Sequence, residues 1–217
     1  TLIFGKVAKI PTDGIPPFIF YLSGTVIWAY FSSCLNQTGR TFVDNSQVFG
    51  KVYFPRVAVP ISIAITAVFQ FLIQFAIFLG FFISFYYIGS DIKPNIYVLT
   101  LPLIVLHMAV LSVGMGLIIS AATAKYRDLT FAMGFFVQLW MYLTPVVYPL
   151  SEVPDRFKIF ILINPMTAVV ESFRGAFLGA NSITLDSLIL SIIITVVVFV
   201  LGIIVFSRVE KTFMDTI

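Results

Sequence analysis

Long apolar runs constrain the fold of this 217-residue chain more than any other feature of its sequence. A helix needs roughly 20 apolar residues to cross a hydrocarbon core of about 30 Å. Runs of that length or longer lie at about 18–38, 57–89, 97–122, 130–149 and 185–206. The chain is only 11% charged, whereas soluble domains are about 25% charged. Lipid cannot pair backbone polar groups, and the runs lack the alternation of barrel strands. We therefore expect an all-α, polytopic membrane helix bundle in which 1–217 forms a single domain.

The basic residues lie mainly in the connections between these runs, and alternate connections share one side of the membrane. One side carries Arg40, Lys51, Arg56, Lys125, Arg127, Arg208 and Lys211. The other side carries Lys6, Lys9, Lys93, Arg156, Lys158 and Arg174. The positive-inside rule places the first set in the cytoplasm, by an excess of a single residue. Because "TLIF" at Thr1 resembles the end of an apolar run, we expect a further span upstream, which would bring both termini to the cytoplasm.

Composition and missing motifs argue against several classes of function. The net charge of +3 is too scattered to favour nucleic-acid binding. The sequence has no G-x-x-x-x-G-K-[ST] phosphate loop, so ATP would have to be bound by another subunit. It has no Cys/His cluster with metal-ligand spacing, so we expect neither a metal site nor a cofactor in this chain. Cys34, the single cysteine, is expected to be a small buried hydrophobe.

The third apolar run combines small residues with a single histidine. Ser112, Gly116, Ser120 and Ala124 recur every four residues, a spacing that lets helix backbones approach closely in lipid. His107 lies in the same run, and two interpretations stay open for it. It either makes a hydrogen bond to a neighbouring helix or contacts a proton or substrate.

The connection between the first two runs, "GRTFVDNSQVFGKVYFPRVAVP", predicts a short amphipathic helix. Thr41 is a candidate N-cap, and Phe42 and Phe49 would share one face while Asp44 and Gln47 point elsewhere. Lys51, Pro55 and Arg56 mark the return to the membrane. Such a helix either lies in the interface or docks onto a soluble partner, and the alternative is a plain loop with interfacial anchors.

Two further connections contain polar or helix-breaking residues. In "KYRD", Lys125 and Arg127 are typical interfacial anchors, and Asp128 is a candidate cap for the next helix. In "QLWMYLTPVVYP", Pro145 and Pro149 break helical hydrogen bonds. The polar and aromatic side chains near these prolines form either an aromatic belt or a surface on which sugar rings stack. They are Gln138, Trp140, Tyr142 and Tyr148.

The stretch "NPMTAVVESFRGAFLG" predicts a short capped helix that does not span the membrane. Asn164 is a good N-cap, Pro165 fits the first helical position, and Gly179 can end the helix. About 15 residues reach only about 22 Å. Glu171 and Arg174 can pair at i,i+3, and the cost of charge in lipid requires them to face water or protein. With the preceding "VPDRFKIFILI", this stretch predicts a helix hairpin broken at Asn164.

Four motifs together resemble a known family. "KVYFPR" at 51–56, "KYRD" at 125–128, "QLWMYLTPVVYP" at 138–149 and "NPMTAVVESFRG" at 164–175 follow the order and spacing of type-2 ABC exporter permeases. The sequence is most similar to the polysaccharide branch, which includes exporters of O-antigen (lipopolysaccharide), capsule and teichoic acid. It departs from that family's pattern of six spans, since the first span and the amphipathic helix before it are absent here.

The resemblance implies a homodimer of permeases with two nucleotide-binding ATPase subunits, which use ATP and Mg, in the bacterial cytoplasmic membrane. It implies export of a lipid-linked polysaccharide through this chain, with ATPase coupling at 39–56 and an outer gate of re-entrant helices at 150–180. The implied coupling residues are Thr41, Phe42, Asp44, Phe49, Lys51 and Arg56, with a second contact at Lys125, Arg127 and Asp128. The implied path and gate residues are Gln138, Trp140, Tyr142, Pro145, Tyr148, Glu171 and Arg174.

Two other functions stay open at this point. A small lipid or drug would be the substrate in other branches of the resembling family. A membrane enzyme acting on lipid-linked sugars would use Glu171, Arg174 or His107 as catalytic residues.

Overall fold

The computed structural model describes residues 12–49, 55–90, 92, 94–180 and 183–214. Those residues form helices and contain no β-strand. The first four helices are α1 (Pro17–Gly39), α2 (Thr41–Asp44), α3 (Ser46–Phe49) and α4 (Ala58–Tyr87). The remaining five are α5 (Leu101–Lys125), α6 (Leu129–Leu143), α7 (Asp155–Ile163), α8 (Pro165–Leu178) and α9 (Leu185–Met214). Short 3-10 turns occupy Ile96–Thr100 and Leu150–Glu152. The expectation of an all-α, polytopic membrane bundle is confirmed.

Within the described residues, four helical stretches are long and apolar enough to cross a membrane: Pro17–Gly39, Ala58–Tyr87, Ile96–Lys125 and Leu185–Lys211. They agree with four of the five predicted runs. The predicted run at 130–149 differs, because α6 ends at Leu143. The backbone of Thr144 is extended, with φ −108° and ψ 139°, since a residue before proline is pushed out of the helical region. Residues 144–149 therefore follow α6 as a non-helical segment, which we call the broken segment.

Helix α5 lies at the centre of the bundle, where it packs along α9 and α1, and α1 also packs along α4. Small residues permit these close approaches, as the four-residue spacing predicts. A Cβ placed on Gly116 would lie 2.5 Å from the Cβ of Thr38 on α1. The α5–α9 contact relies on Gly114 and Gly202, because a Cβ on Gly202 would collide with the carbonyl oxygen of Gly114. This second pair was not predicted from the sequence.

Replacing Gly202 by valine is expected to separate α9 from α5. The side chain has no space against the Gly114 backbone, and overpacking costs typically about 1–3 kcal/mol. The measurement is the unfolding temperature of the purified chain in detergent. Gly80→Val is the matched control, because Gly80 lies in an apolar helix with nothing within 4 Å of its Cβ position. Equal losses in both variants would contradict the packing described here.

Candidate functional site

Helix α8 begins and ends where its sequence predicts. The Asn164 side chain accepts a hydrogen bond of 3.1 Å from the Met166 N–H, and Pro165 occupies the first turn. Gly179 ends the helix in the left-handed conformation with φ 78°, which costs glycine little. The Asn164 amide also donates to Thr144 Oγ1 at 2.8 Å. The start of α8 is thereby tied to the end of α6.

Helices α7 and α8 form the predicted pair broken at Asn164, and their axes differ by 96°. This bend is more open than that of a closed hairpin. Pro165 explains the break, because it has no backbone N–H to donate the hydrogen bond that would continue α7. Helix α7 is largely exposed, whereas nearly all of α8 is buried. The structure thus encloses α8 among other parts of this chain.

The charges of α8 face protein, which is one of the two surroundings that the sequence analysis allowed. Arg174 Nη1 lies 3.2 Å from Glu171 Oε1, and the two side chains are 0% and 2% exposed. In water an i,i+3 pair contributes a few tenths of a kcal/mol. Inside the bundle the loss of either partner is strongly destabilising, because removing one partner of a buried ion pair leaves a buried charge uncompensated.

Arg174 also pairs the backbone of the broken segment. Its Nη1 donates to the carbonyl oxygen of Pro145, and its Nη2 donates to that of Val146. Those carbonyls lie outside any helix, so they need a donor in a medium that holds little water. The planar guanidinium presents several donors in a fixed fork and can serve both carbonyls at once. Arg174 therefore substitutes for the helical hydrogen bonds that α6 lacks after Leu143.

Helix α1 completes the surroundings of this arginine. The guanidinium carbon lies 3.8 Å from the centroid of the Phe20 ring, and Nε donates to Ser23 Oγ at 3.4 Å. A Cβ on Gly24 would lie 2.5 Å from the Val146 carbonyl oxygen and 2.8 Å from Arg174 Nη2. Glycine is thus required where α1 meets the broken segment. We call Phe20, Ser23, Gly24, Glu171 and Arg174, with the carbonyls of Pro145 and Val146, the arginine hub.

The other predicted path residues either lie on the exposed side of α6 or contact other residues of the chain. Gln138 and Tyr142 lie on the exposed side of α6. The ring of Trp140 packs edge-on against Phe31 of α1, with centroids 5.4 Å apart. The Tyr148 hydroxyl donates to the Tyr142 carbonyl oxygen at 3.1 Å. The structure brings Pro145, Tyr148, Glu171 and Arg174 together and separates the α6 side chains from them.

The connection between α1 and α4 forms two short helices, α2 and α3, rather than the single short helix predicted there. Thr41 is not the N-cap, because it occupies the first turn of α2 after Arg40, and its hydroxyl donates to the Thr38 carbonyl oxygen at 2.7 Å. The cap predicted at Asp128 is also absent. Asp128 occupies the position before α6 with helical angles, φ −65° and ψ −21°, and makes no side-chain cap hydrogen bond. Lys51 lies outside the described residues.

Phe42 and Phe49 share one face, as predicted, but that face packs on this chain's own α9. They are 1% and 2% exposed, and their rings are 5.9 Å apart. The Phe42 ring stacks on Phe206, with centroids 4.6 Å apart. Apolar rings are more stable buried than exposed, so the outward side chains of this connection are the polar Asp44 and Gln47.

Arg56 fixes the far end of the same connection. Its guanidinium donates to the Phe49 carbonyl oxygen at 3.1 Å and to the Glu210 carbonyl oxygen at 3.2 Å. It is 4% exposed and also lies 3.9 Å from the Glu210 carboxylate. The predicted anchoring role of Arg56 therefore involves the last turns of α9. The connection between α1 and α4 is therefore joined to the end of α9 by direct contacts.

The second predicted coupling contact is exposed and lies beside the first. Lys125, Arg127 and Asp128 are exposed at the turn between α5 and α6. Two residues before Lys125, the Thr123 hydroxyl donates to the Gly39 carbonyl oxygen at 2.8 Å. The α1–α2 and α5–α6 turns are consequently neighbours, and a partner at one of them can reach the other.

Comparison with known proteins identifies the family. Residues 1–178 match the model of the ABC-2 type transporter family. This chain belongs to that family. It is 25% identical to an O-antigen export system permease protein RfbA of Klebsiella pneumoniae, over 98% of the chain and 80% of that protein. It is 26% identical to the RfbA permease of Myxococcus xanthus over 81% of the chain and 66% of that protein. It is 24% identical to the polysialic acid transport protein KpsM of Escherichia coli, over 80% of the chain and 66% of that protein.

Family membership determines the type of subunit. The chain is the multi-pass membrane subunit of an ABC transporter, and it works with an ATPase partner. Its work is transport rather than covalent chemistry. His107 makes the hydrogen bond to a neighbouring helix that was one of its two interpretations, since its Nε2 lies 2.9 Å from Thr195 Oγ1 and 3.2 Å from Ser191 Oγ on α9.

Several residues of the site were missed in the sequence analysis. Phe20, Ser23 and Gly24 sit inside an apolar run, and nothing distinguishes the first two from residues that contact lipid. Phe206 and Glu210 were read as parts of the last span and its tail. A usable signal was present at Gly24, because a glycine within an apolar helix often marks a close approach.

Proposed function

We propose that this chain is the membrane subunit of an ATP-driven exporter of a lipid-linked polysaccharide similar to O-antigen, acting in the bacterial cytoplasmic membrane. The observation that carries the proposal is the alignment with an O-antigen export permease along 98% of the chain. Two copies of the chain form the channel with two ATPase subunits, which bind and hydrolyse ATP with Mg. Separate ATPase subunits agree with the absence of a phosphate loop from this sequence.

The arginine hub is proposed as the latch of the outer gate at 150–180. One guanidinium joins α1, the broken segment and α8, so these three parts move together while its hydrogen bonds hold. Its carbonyl partners belong to residues that no helix constrains, and they can exchange partners at lower cost than helical carbonyls. Opening of the path for a polymer then requires α8 and the broken segment to rearrange as a unit.

Coupling to the ATPase is proposed at the polar, outward side of α2 and α3, with Lys125, Arg127 and Asp128 as a second contact. ATP hydrolysis can drive the permease only if the ATPase binds the different conformations of the permease with different affinities. Movement of the connection is passed to α9 through the Phe42–Phe206 stack and the Arg56–Glu210 contacts. Phe42 and Phe49 thus transmit movement inside the permease, and Asp44 contacts the ATPase at the surface.

Replacing Asp44 by lysine is expected to weaken binding of the ATPase without unfolding the permease. Asp44 is exposed, and its pair with Arg40 at 3.3 Å is a surface ion pair of about 0–1 kcal/mol. The measurement is co-purification of the ATPase with tagged permease, alongside the unfolding temperature. Asp186→Lys is the control, since Asp186 is exposed in the first turn of α9, whereas the α2–α3 connection contacts the other end of that helix. Full ATPase recovery with Asp44→Lys would argue against docking at this surface.

Replacing Phe206 by leucine is expected to lower export per ATP hydrolysed. Leucine stays apolar but loses the ring stack with Phe42, which contributes about 0.5–1.5 kcal/mol beyond burial. The measurement is the ratio of polymer transported to phosphate released by the assembled transporter. Val205→Leu, at a 38% exposed neighbouring position, is the control. An unchanged ratio for Phe206→Leu would show that α9 is not the route of coupling.

The proposed substrate is tested in cells. A bacterial strain that lacks its O-antigen permease is supplied with this chain and its cognate ATPase, and surface polysaccharide is measured. We expect surface polymer to return, and to be absent when the ATPase cannot hydrolyse ATP. Efflux of a small lipid or drug without surface polymer would favour the alternative substrate class instead.

A further inference from the structure

A cavity outside the arginine hub lies between α5, α8 and α9. Its volume is about 680 Å³, within the roughly 300–1,000 Å³ range of small-molecule sites. On one side it extends from Tyr97 in the first 3-10 turn to Val110 on α5, and on the other from Ile183, just before α9, to Val196 on α9. Each side covers fourteen residues, and thirteen steps at the helical rise correspond to about 20 Å, which is more than half of a hydrocarbon core of about 30 Å. The cavity is therefore long and narrow and runs parallel to the two helices.

The polarity of the cavity changes along its length. At the end where α5 and α9 begin, its lining includes the hydroxyl-bearing side chains of Tyr97, Thr100 and Thr184. The Thr100 hydroxyl donates to the Tyr97 carbonyl oxygen at 2.6 Å, which leaves its oxygen as an acceptor, and the Thr184 hydroxyl lies 2.9 Å from Ser187 Oγ. Deeper in the cavity the lining is mainly apolar, with residues such as Ile104 and Val169. His107 and Thr195 also lie at this depth, but they pair with each other at 2.9 Å. One end thus offers hydroxyls and the remainder offers hydrocarbon, which matches an amphiphile lying along the helices.

The side of the cavity is open to the membrane. Leu103, Leu106, Ile192 and Val196 line it and are 65%, 58%, 43% and 52% exposed. All four belong to stretches long and apolar enough to cross the bilayer. Apolar side chains exposed on a membrane-spanning helix contact hydrocarbon. Water does not fill an apolar cleft of this kind, because it finds too few hydrogen-bond partners there. A lipid can enter sideways without leaving the bilayer.

We propose that this cavity binds one glycerophospholipid from the surrounding bilayer. An acyl chain lies between α5 and α9, and the ester and headgroup end lies near Tyr97, Thr100 and Thr184. Because α8 forms one wall through Val169, Ser172 and Gly175, the bound lipid supports the helix that carries Arg174. The proposal depends on the chain crossing a membrane and not on the identity of the exported substrate.

The test uses two neighbouring valines of equal exposure. Val196 lines the cavity and is 52% exposed, whereas Val197 does not line it and is 51% exposed. The complete transporter, permease with ATPase, is purified in detergent, washed extensively, and analysed for glycerophospholipid per permease by mass spectrometry. We expect the unsubstituted protein and Val197→Trp to retain a glycerophospholipid that Val196→Trp loses. Equal retention in all three proteins would overturn the proposal.

Two other outcomes identify a different occupant and would also overturn it. If the molecule lost from Val196→Trp carries a polyprenyl chain instead of glycerol esters, the cavity belongs to the carrier of the exported polymer. If a cysteine at position 196 forms a disulfide with the same position of a second copy in native membranes, another copy of this chain covers the cavity. Absence of that cross-link together with selective loss of glycerophospholipid supports the proposal.

Discussion

Replacing Arg174 by glutamine is expected to abolish export and to destabilise the permease by about 3–5 kcal/mol, the usual cost of removing one partner of a buried ion pair. The side chain is 0% exposed, so water cannot replace it. Its loss leaves the Glu171 carboxylate without its arginine partner and the Pro145 and Val146 carbonyls without their arginine donor. The measurements are surface polymer in cells and the unfolding temperature of the purified permease.

The controls for Arg174 separate its geometry from its charge. Arg156→Gln removes the same charge from an exposed position on α7 and is expected to leave export unchanged. Arg174→Lys keeps the charge and should still fail, because an ammonium cannot serve two carbonyls and a carboxylate in the geometry of the guanidinium fork. Glu171→Gln keeps an acceptor oxygen and should be milder. Unchanged export in both Glu171→Gln and Arg174→Gln would contradict the gating role of this pair.

Replacing Gly24 by alanine is expected to have the second largest effect, although it adds only a methyl group. Its Cβ would lie 2.5 Å from the Val146 carbonyl oxygen and 2.8 Å from Arg174 Nη2. The methyl group therefore displaces either the broken segment or the guanidinium, and overpacking of this kind typically costs about 1–3 kcal/mol. We expect lower stability and strongly reduced export, measured as for Arg174.

Gly134→Ala is the matched control for Gly24→Ala. Gly134 lies in α6 with nothing within 4 Å of its Cβ position, and alanine favours helices over glycine by up to about 1 kcal/mol. The control should be neutral or stabilising. If Gly24→Ala behaves like Gly134→Ala, then α1 does not press against the broken segment in the working protein.

Local signals in the sequence predicted the elements of the fold well. Apolar length alone located the spans that begin near Pro17, Ala58, Ile96 and Leu185, because lipid requires a helix of a given length. Asn164 and Gly179 bound α8 as predicted, since their effects are confined to their own turn of backbone. The end of α6 was placed too late, although the backbone effect of Pro145 on Thr144 is local too.

The partners of the site residues were beyond such signals. Arg174 contacts Phe20, which is 154 positions away in the sequence, and Arg56 contacts Glu210 at the same separation. Periodicity showed that Phe42 and Phe49 share a face, but not whether the chain's own α9 or another subunit covers it. The cap predicted at Thr41 was wrong for a related reason, since Thr41 lies inside α2 and its hydroxyl donates to the Thr38 carbonyl oxygen at the end of α1.

The central claim is that this chain, with its ATPase, moves a lipid-linked polysaccharide across a membrane. The most direct measurement places the purified permease–ATPase complex in proteoliposomes with a defined lipid-linked glycan on the ATPase side. We expect ATP-dependent appearance of the glycan on the opposite side, which is lost with Arg174→Gln and retained with Arg156→Gln. Failure of the glycan to cross while ATP is hydrolysed, or transfer of sugar by the isolated chain, would contradict it.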